Sequence, residues 1–101
     1  MTLDLNSIEI NENEKRRRFE AQVGEFTAVM YRYYNEDSLV ITHTLVPDEL
    51  AGQGLAGYMT RTVLDGARER GLSVVPICPY VAAYIKRHPD YQDLLQKNPD
   101  Q

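Results

Sequence analysis

The chain has a single cysteine, Cys78, so no intramolecular disulfide can form and stability must come from a packed core. It has no tryptophan and only two phenylalanines, so seven tyrosines carry most of its aromatic surface. No stretch approaches the ~20 apolar residues that a membrane helix needs, and no basic-then-apolar leader opens the sequence. Two distant histidines and one cysteine make no zinc-like set, so no metal is expected. Basic charge is also short: 11 lysines and arginines face 15 acidic residues, a net charge of -4, which argues against nucleic acid as the main partner. A cytoplasmic protein that takes neither nucleic acid nor membrane is therefore expected; a monomer or weak homodimer is expected too, with the oligomeric state left open by the sequence. With 43% apolar residues, 101 residues suffice for one core. The expected division is one domain over residues 8–96, with loose termini at 1–7 and 97–101.

What is present is a strand-rich first half and a helical second half. Ile8 and Ile10 alternate with polar neighbours and predict a short first strand, followed by a polar turn over residues 11–14. A second strand carries Phe19, Ala21 and Val23 on one face. Gly24-Glu25 predicts a tight hairpin into "FTAVMYRYY". In that strand Ala28, Met30, Arg32 and Tyr34 share a face. "LVITHTLV" from Leu39 reads as a fourth strand covered on both sides. Leu55, Met59, Val63 and Ala67 recur at helical spacing, and Gly71 suits the left-handed residue past a helix end. "LSVVPIC" predicts a fifth strand that Pro76 interrupts. Pro79 opens a second helix that ends before Pro89, and one more turn is expected near residues 91–96. The predicted order is β-β-β-β-α-β-α: an α/β (α+β) fold whose mixed, mostly antiparallel sheet carries two main helices.

Glycines 52, 54 and 57 stand where the first helix begins, although glycine weakens a helix relative to alanine. The compensation predicted here is anion binding. A helix start carries unpaired N–H groups and partial positive charge, and glycines let an anion approach them closely. The N–H groups of Gln53, Gly54, Leu55, Ala56 and Gly57 would cradle a phosphate or pyrophosphate. No Gly-Lys-Ser/Thr follows, which excludes a nucleoside-triphosphate loop. The G-x-G-x-x-G spacing lacks the acidic ribose partner of a dinucleotide fold.

"VPDELAGQGLAGYMTRTVL" resembles the acetyl-coenzyme A loop of the GCN5-related N-acetyltransferases, whose pattern is Gln/Arg-x-x-Gly-x-Gly/Ala after a central strand. Ala51 replaces the leading Gln/Arg, and Gly54 and Ala56 match. With "ITHTLVP" and "VPICPYVAAYIKRHPDY", the resemblance extends over about residues 8–96 and points to the short, single-domain members. It implies transfer of an acetyl group from acetyl-coenzyme A to a primary amine, on a small molecule or a peptide. It also implies that the pantetheine pairs with the strand end at Leu45 and Val46, and that Tyr80 lines the pocket. Three residues are expected near the thioester. Cys78, just before a helix, has a position that favours a thiolate; by the resemblance it carries acyl chemistry or walls the pocket. His43 would take the proton of the ammonium acceptor. Tyr84, matching the superfamily's terminal tyrosine, would protonate the departing thiolate.

Two other functions fit the same residues. A non-catalytic acyl-coenzyme A sensor keeps the loop and needs no acid or base. An interaction domain would use the basic segment Lys15-Arg16-Arg17-Arg18, read as the start of a strand whose alternation splits its charges between two faces.

Overall fold

The computed structural model describes residues 3–95. Five strands follow one another across a single sheet: β1 (Ile10–Asn13), β2 (Arg18–Val23), β3 (Phe26–Asn35), β4 (Ser38–Leu45) and β5 (Ser73–Pro76). The first four form an antiparallel meander, and β5 joins β4 in parallel after a crossover through helix α1 (Leu55–Glu69). Helix α2 (Pro79–Arg87) follows β5, and a 3₁₀ segment, Pro89–Leu94, closes the described chain. The predicted element order holds throughout. Among the described residues no helix is long and apolar enough to cross a membrane.

Both helices contribute to one core. Ala21, Ala28, Met30, Leu39 and Ile41 from the sheet pack with Leu55, Met59, Val63, Leu64 and Ala67 of α1 and with Val81 and Ile85 of α2. Pairing partners place Val29, Tyr31, Tyr33, Val40, His43 and Leu45 on the opposite face. That face is partly bare: Tyr33 is 47% and Leu45 57% exposed.

Three local expectations need correction. Asn11–Asn13 belong to β1 rather than to a turn, and the reversal falls on residues 14–17. Lys15, Arg16 and Arg17 therefore form the turn, with Arg17 in the left-handed region (φ 56°) and Arg16 N–H donating to Asn13 Oδ1; only Arg18 begins a strand. Charged side chains project into solvent from a turn at little cost, and an edge strand tolerates the polar β1. Strand β4 is covered on both sides only over Ser38–Ile41; from Thr42 its burial alternates, because its ladder with β5 stops at Pro76, which has no N–H to donate. The third concerns the N-terminus. Leu5–Ser7 form a 3₁₀ turn, Leu3 and Leu5 pack on the core, and Leu3 N–H donates to Gln53 Oε1, so residues 3–7 are not loose. The tail 97–101 lies outside the described residues.

One charge is buried within the sheet. Arg32, in the middle of β3, has a 3% exposed side chain and donates from Nε to Glu12 Oε2 at 2.8 Å, while its Nη2 lies 3.1 Å from Glu14. The Tyr34 hydroxyl donates to the same Glu12, and the Arg32 guanidinium lies over the Tyr34 ring. Burial, then the Glu12 bond, pushes the Tyr34 phenol above its ordinary pKa.

Candidate functional site

Helix α1 begins without a side-chain cap. Its N-cap is Gly54, at φ 84°, and Gly52 is also left-handed at φ 77°. Only glycine takes up these angles freely, so the two residues fix a turn that β-carbons would strain. The first helical bond runs from Tyr58 N–H to Gly54 C=O at 3.0 Å. The N–H groups of Leu55, Ala56 and Gly57 thus precede the intrahelical ladder. A cavity of about 300 Å³ adjoins them, lined by Val46, Leu50, Gly52, Gly54, Gly57 and Tyr80 among others. A β-carbon at Gly57 would stand 3.4 Å from the Tyr80 hydroxyl, ordinary van der Waals contact, so the phenol lies directly over the helix start. Free first-turn N–H groups beside an open cavity are an arrangement that attracts anions at a helix start.

The structure disposes the other expected residues as follows. Leu55 is 1% exposed, so it offers only its backbone. The Gln53 side chain turns away to accept from Leu3. Val46 lines the cavity, whereas the Leu45 side chain points to the bare face. Cys78 is 3% exposed at the N-cap of α2; its N–H donates to Ile41 C=O at 2.9 Å, the last link between the β4 and β5 arms.

Beyond that link lies a feature that the sequence reading missed. Tyr31 pairs with His43 and Arg32 with Ile41, so Thr42 is left over as a bulge, with Thr42 Oγ1 3.4 Å from the Tyr31 carbonyl. His43 is exposed and shares the bare face with Tyr31. Thr44 faces the other way, and its Oγ1 lies 3.4 Å from Cys78 Sγ. His43 and Cys78 therefore flank the same gap from opposite faces of the sheet. Thr44 was accessible in principle, since strand alternation sends it opposite to His43 in "ITHT".

Tyr84 lies elsewhere than the loop cavity. It is 8% exposed, its ring stacks on His88 at 4.0 Å between centroids, and it lines a second cavity with Arg61. His88 Nδ1 sits 2.8 Å from the Tyr84 carbonyl; a carbonyl only accepts, so the proton is on Nδ1 and His88 caps α2. Burial raises the Tyr84 phenol above its ordinary pKa.

A family described as GCN5-related N-acetyl-transferase matches residues 18–94. The chain belongs to that family. Its relatives include Protein NATD1 of Xenopus tropicalis, 28% identical over 96 residues that cover 90% of this chain and 88% of that one. Protein NATD1 of Homo sapiens is 28% identical over 94 residues, covering 88% of this chain and 83% of its own. A Staphylococcus aureus protein described as GCN5-like, solved in solution by NMR, superposes with a TM-score of 0.69 at 26% identity and 89% coverage of each chain. Family and fold thus agree with the glycine-loop geometry, and the mixed five-stranded sheet with its helices is the family's fold.

Proposed function

We propose that this chain moves an acetyl group from acetyl-coenzyme A to a primary amine. The observation that carries the reading is the uncapped start of α1, with free first-turn N–H groups at a cavity that Val46 of the β4 arm and Tyr80 of the α2 arm also line. Acetyl-coenzyme A supplies the acyl group already activated as a thioester. In this reading the N–H groups of Leu55, Ala56 and Gly57 hold the pyrophosphate, and Tyr80 donates to it from across Gly57. Val46 and the end of β4 guide the pantetheine toward the gap past Pro76. Backbone N–H groups at the strand gap polarise the thioester carbonyl. Cys78 and Thr44 wall the acyl group on the core side. His43, open to solvent on the other face, accepts the proton of the incoming amine. Tyr84 lines the second cavity and not this one, so we assign it to binding rather than to protonation of the thiolate. Most of the acceleration then comes from orientation.

Incubation with acetyl-coenzyme A and a panel of amines, read by mass spectrometry of both protein and amine, tests the proposal. Amine acetylation that Cys78→Ala and His43→Gln each reduce supports it. Tight binding of coenzyme A with no acetylated amine favours the sensing module instead. No binding removes both.

A further inference from the structure

Gly66 lies inside α1, where glycine is less stable than alanine. Its φ is not positive, and a β-carbon built on it would meet nothing within 4 Å beyond its own turn of helix. Neither backbone geometry nor close packing therefore requires a glycine there. Its bare surface instead lines a third cavity, of about 110 Å³, between α1 and the sheet. Phe19 and Leu39 of the sheet and Val63 of the helix give this cavity apolar walls, and the charged Glu12 and Arg70 line it as well.

The two charged residues are only partly used by the fold. Glu12 Oε2 is occupied: it accepts from Arg32 Nε at 2.8 Å and from the Tyr34 hydroxyl. Glu12 Oε1 has only Arg70 Nη1, at 3.9 Å, too far for a hydrogen bond. Arg70 Nη1 donates to the Tyr34 hydroxyl at 3.0 Å, and among the described residues Arg70 Nε and Nη2 donate to nothing. A free acceptor and free donors thus stand together at an apolar cavity. The charges of this cluster sum to zero, Arg32 and Arg70 against Glu12 and Glu14.

We infer that the third cavity binds a free α-amino acid with a branched aliphatic side chain: its ammonium on Glu12, its carboxylate on Arg70, its side chain between Phe19, Leu39 and Val63. A zwitterion leaves the cluster balanced, whereas a net cation or anion would bring an unpaired charge to a partly buried site. A guanidinium holds a carboxylate through paired N–H donors. Size favours the aliphatic chain, since an apolar cavity of about 150 Å³ holds a benzene ring and this one has about 110 Å³. Gly66 is then the residue that keeps the space open. It lies roughly 13 Å along α1 from Gly57, so the amino acid does not compete for the loop cavity, and the inference does not rest on coenzyme A binding there.

Leucine is the probe, read by titration calorimetry and by amide NMR shifts of the ligand-free protein. Leucine should bind, with its largest shifts at Phe19, Leu39, Val63 and Gly66. Leucinamide, which lacks the carboxylate, and 4-methylpentanoate, which lacks the ammonium, should each bind about ten-fold more weakly, the size of one partly exposed charge-assisted contact. Arg70→Gln should bring leucine and leucinamide to within about two-fold of each other. Gly66→Leu should abolish leucine binding by filling the cavity. Gly66→Ala fills less of it and should weaken leucine several-fold while raising the urea midpoint, because alanine is the better helix former. Absence of leucine binding in the wild type overturns the inference. So does leucinamide or 4-methylpentanoate binding as tightly as leucine, or leucine binding that both Gly66 variants keep at wild-type strength. Circular dichroism checks that each variant is folded, and Gly66→Ala carries the test if Gly66→Leu is not.

Discussion

Helix α1 starts after the N-cap Gly54 with no side-chain cap and open cavities on two sides, whereas past its last residue, Glu69, the carbonyls of Gly66, Ala67 and Arg68 are all satisfied. At the far end Gly71 is left-handed at φ 69°, and Leu72 N–H reaches back to Ala67 C=O at 2.9 Å, closing the helix in a Schellman turn. Arg70 donates to the Tyr34 hydroxyl at 3.0 Å, tying that end to Glu12 and Arg32 in the meander. One end of the helix leaves its polar groups free beside open cavities; the other uses them within the fold. The difference teaches that stability and binding can be separated along a single helix, and that mutations at the two ends should have different signatures.

The largest expected effect is at the fold end. Glu12→Ala leaves the Arg32 guanidinium buried with only the exposed Glu14 beside it, and should cost about 2–4 kcal/mol in urea unfolding. Its ligand-induced thermal shift should be unchanged. A Glu12→Ala protein that loses the shift would break the separation. At the binding end, Gly54→Val imposes a β-branched residue on φ 84° and should cost about 1–2 kcal/mol of stability. Its distinctive loss should be of ligand stabilisation, which for a wild type that binds coenzyme A is expected to be about 2.7 kcal/mol at 100 times Kd. Equal shifts in wild type and variant would remove the loop from the site.

A third comparison sharpens the gap between the β4 and β5 arms. Thr44→Val keeps the side chain's shape and removes the hydroxyl beside Cys78 Sγ, a weak contact, so stability should change by no more than about 1 kcal/mol. Acetyl-transfer and the rate of Cys78 alkylation should nonetheless change, and bound acetyl-coenzyme A should protect the thiol in the wild type. A thiol that the ligand leaves equally reactive would make Cys78 a packing residue. The smallest effect is confined to alkaline pH. Burial and the bond to Asp65 push the Tyr91 phenol up to about 12. Its folded-state pKa lies above the unfolded value near 10, so its contribution is fully present below about pH 10 and is lost as pH rises toward 12. Tyr91→Phe should flatten that alkaline decline, measured as urea midpoints, without touching ligand binding.

The hydrophobic periodicities made the sheet order and both helices legible, because Leu55, Met59, Val63 and Ala67 at one end and Ala28 and Met30 at the other repeat with the period of their elements. The glycine turn was legible because glycine at a helix start is costly unless the backbone needs it, and Gly52 and Gly54 are both left-handed. What stayed hidden depends on contacts between distant segments. Polar Asn11 and Asn13 look like a turn until β2 pairs with them. Thr42 becomes a bulge only through a register shift against β3. Tyr80 and Tyr84 differ by one helical turn, yet only Tyr80 reaches the loop cavity, a distinction that depends on how α2 packs against Gly57.

The strand order 1-2-3-4-5 also bears on how the molecule assembles and opens. Each pairing in the meander joins neighbours in the chain and closes through a short turn, so β1 to β4 can zip locally and early. The β4–β5 seam must wait for the whole α1 crossover, and it is only four residues long. The gap flanked by His43 and Cys78 is at the end of that seam. In native-state hydrogen exchange the amides of β5 and of the α1 start should therefore exchange through smaller openings than those of β2 and β3. A ligand spanning both arms would act as the missing ladder rungs, slowing exchange there more than anywhere else in the chain.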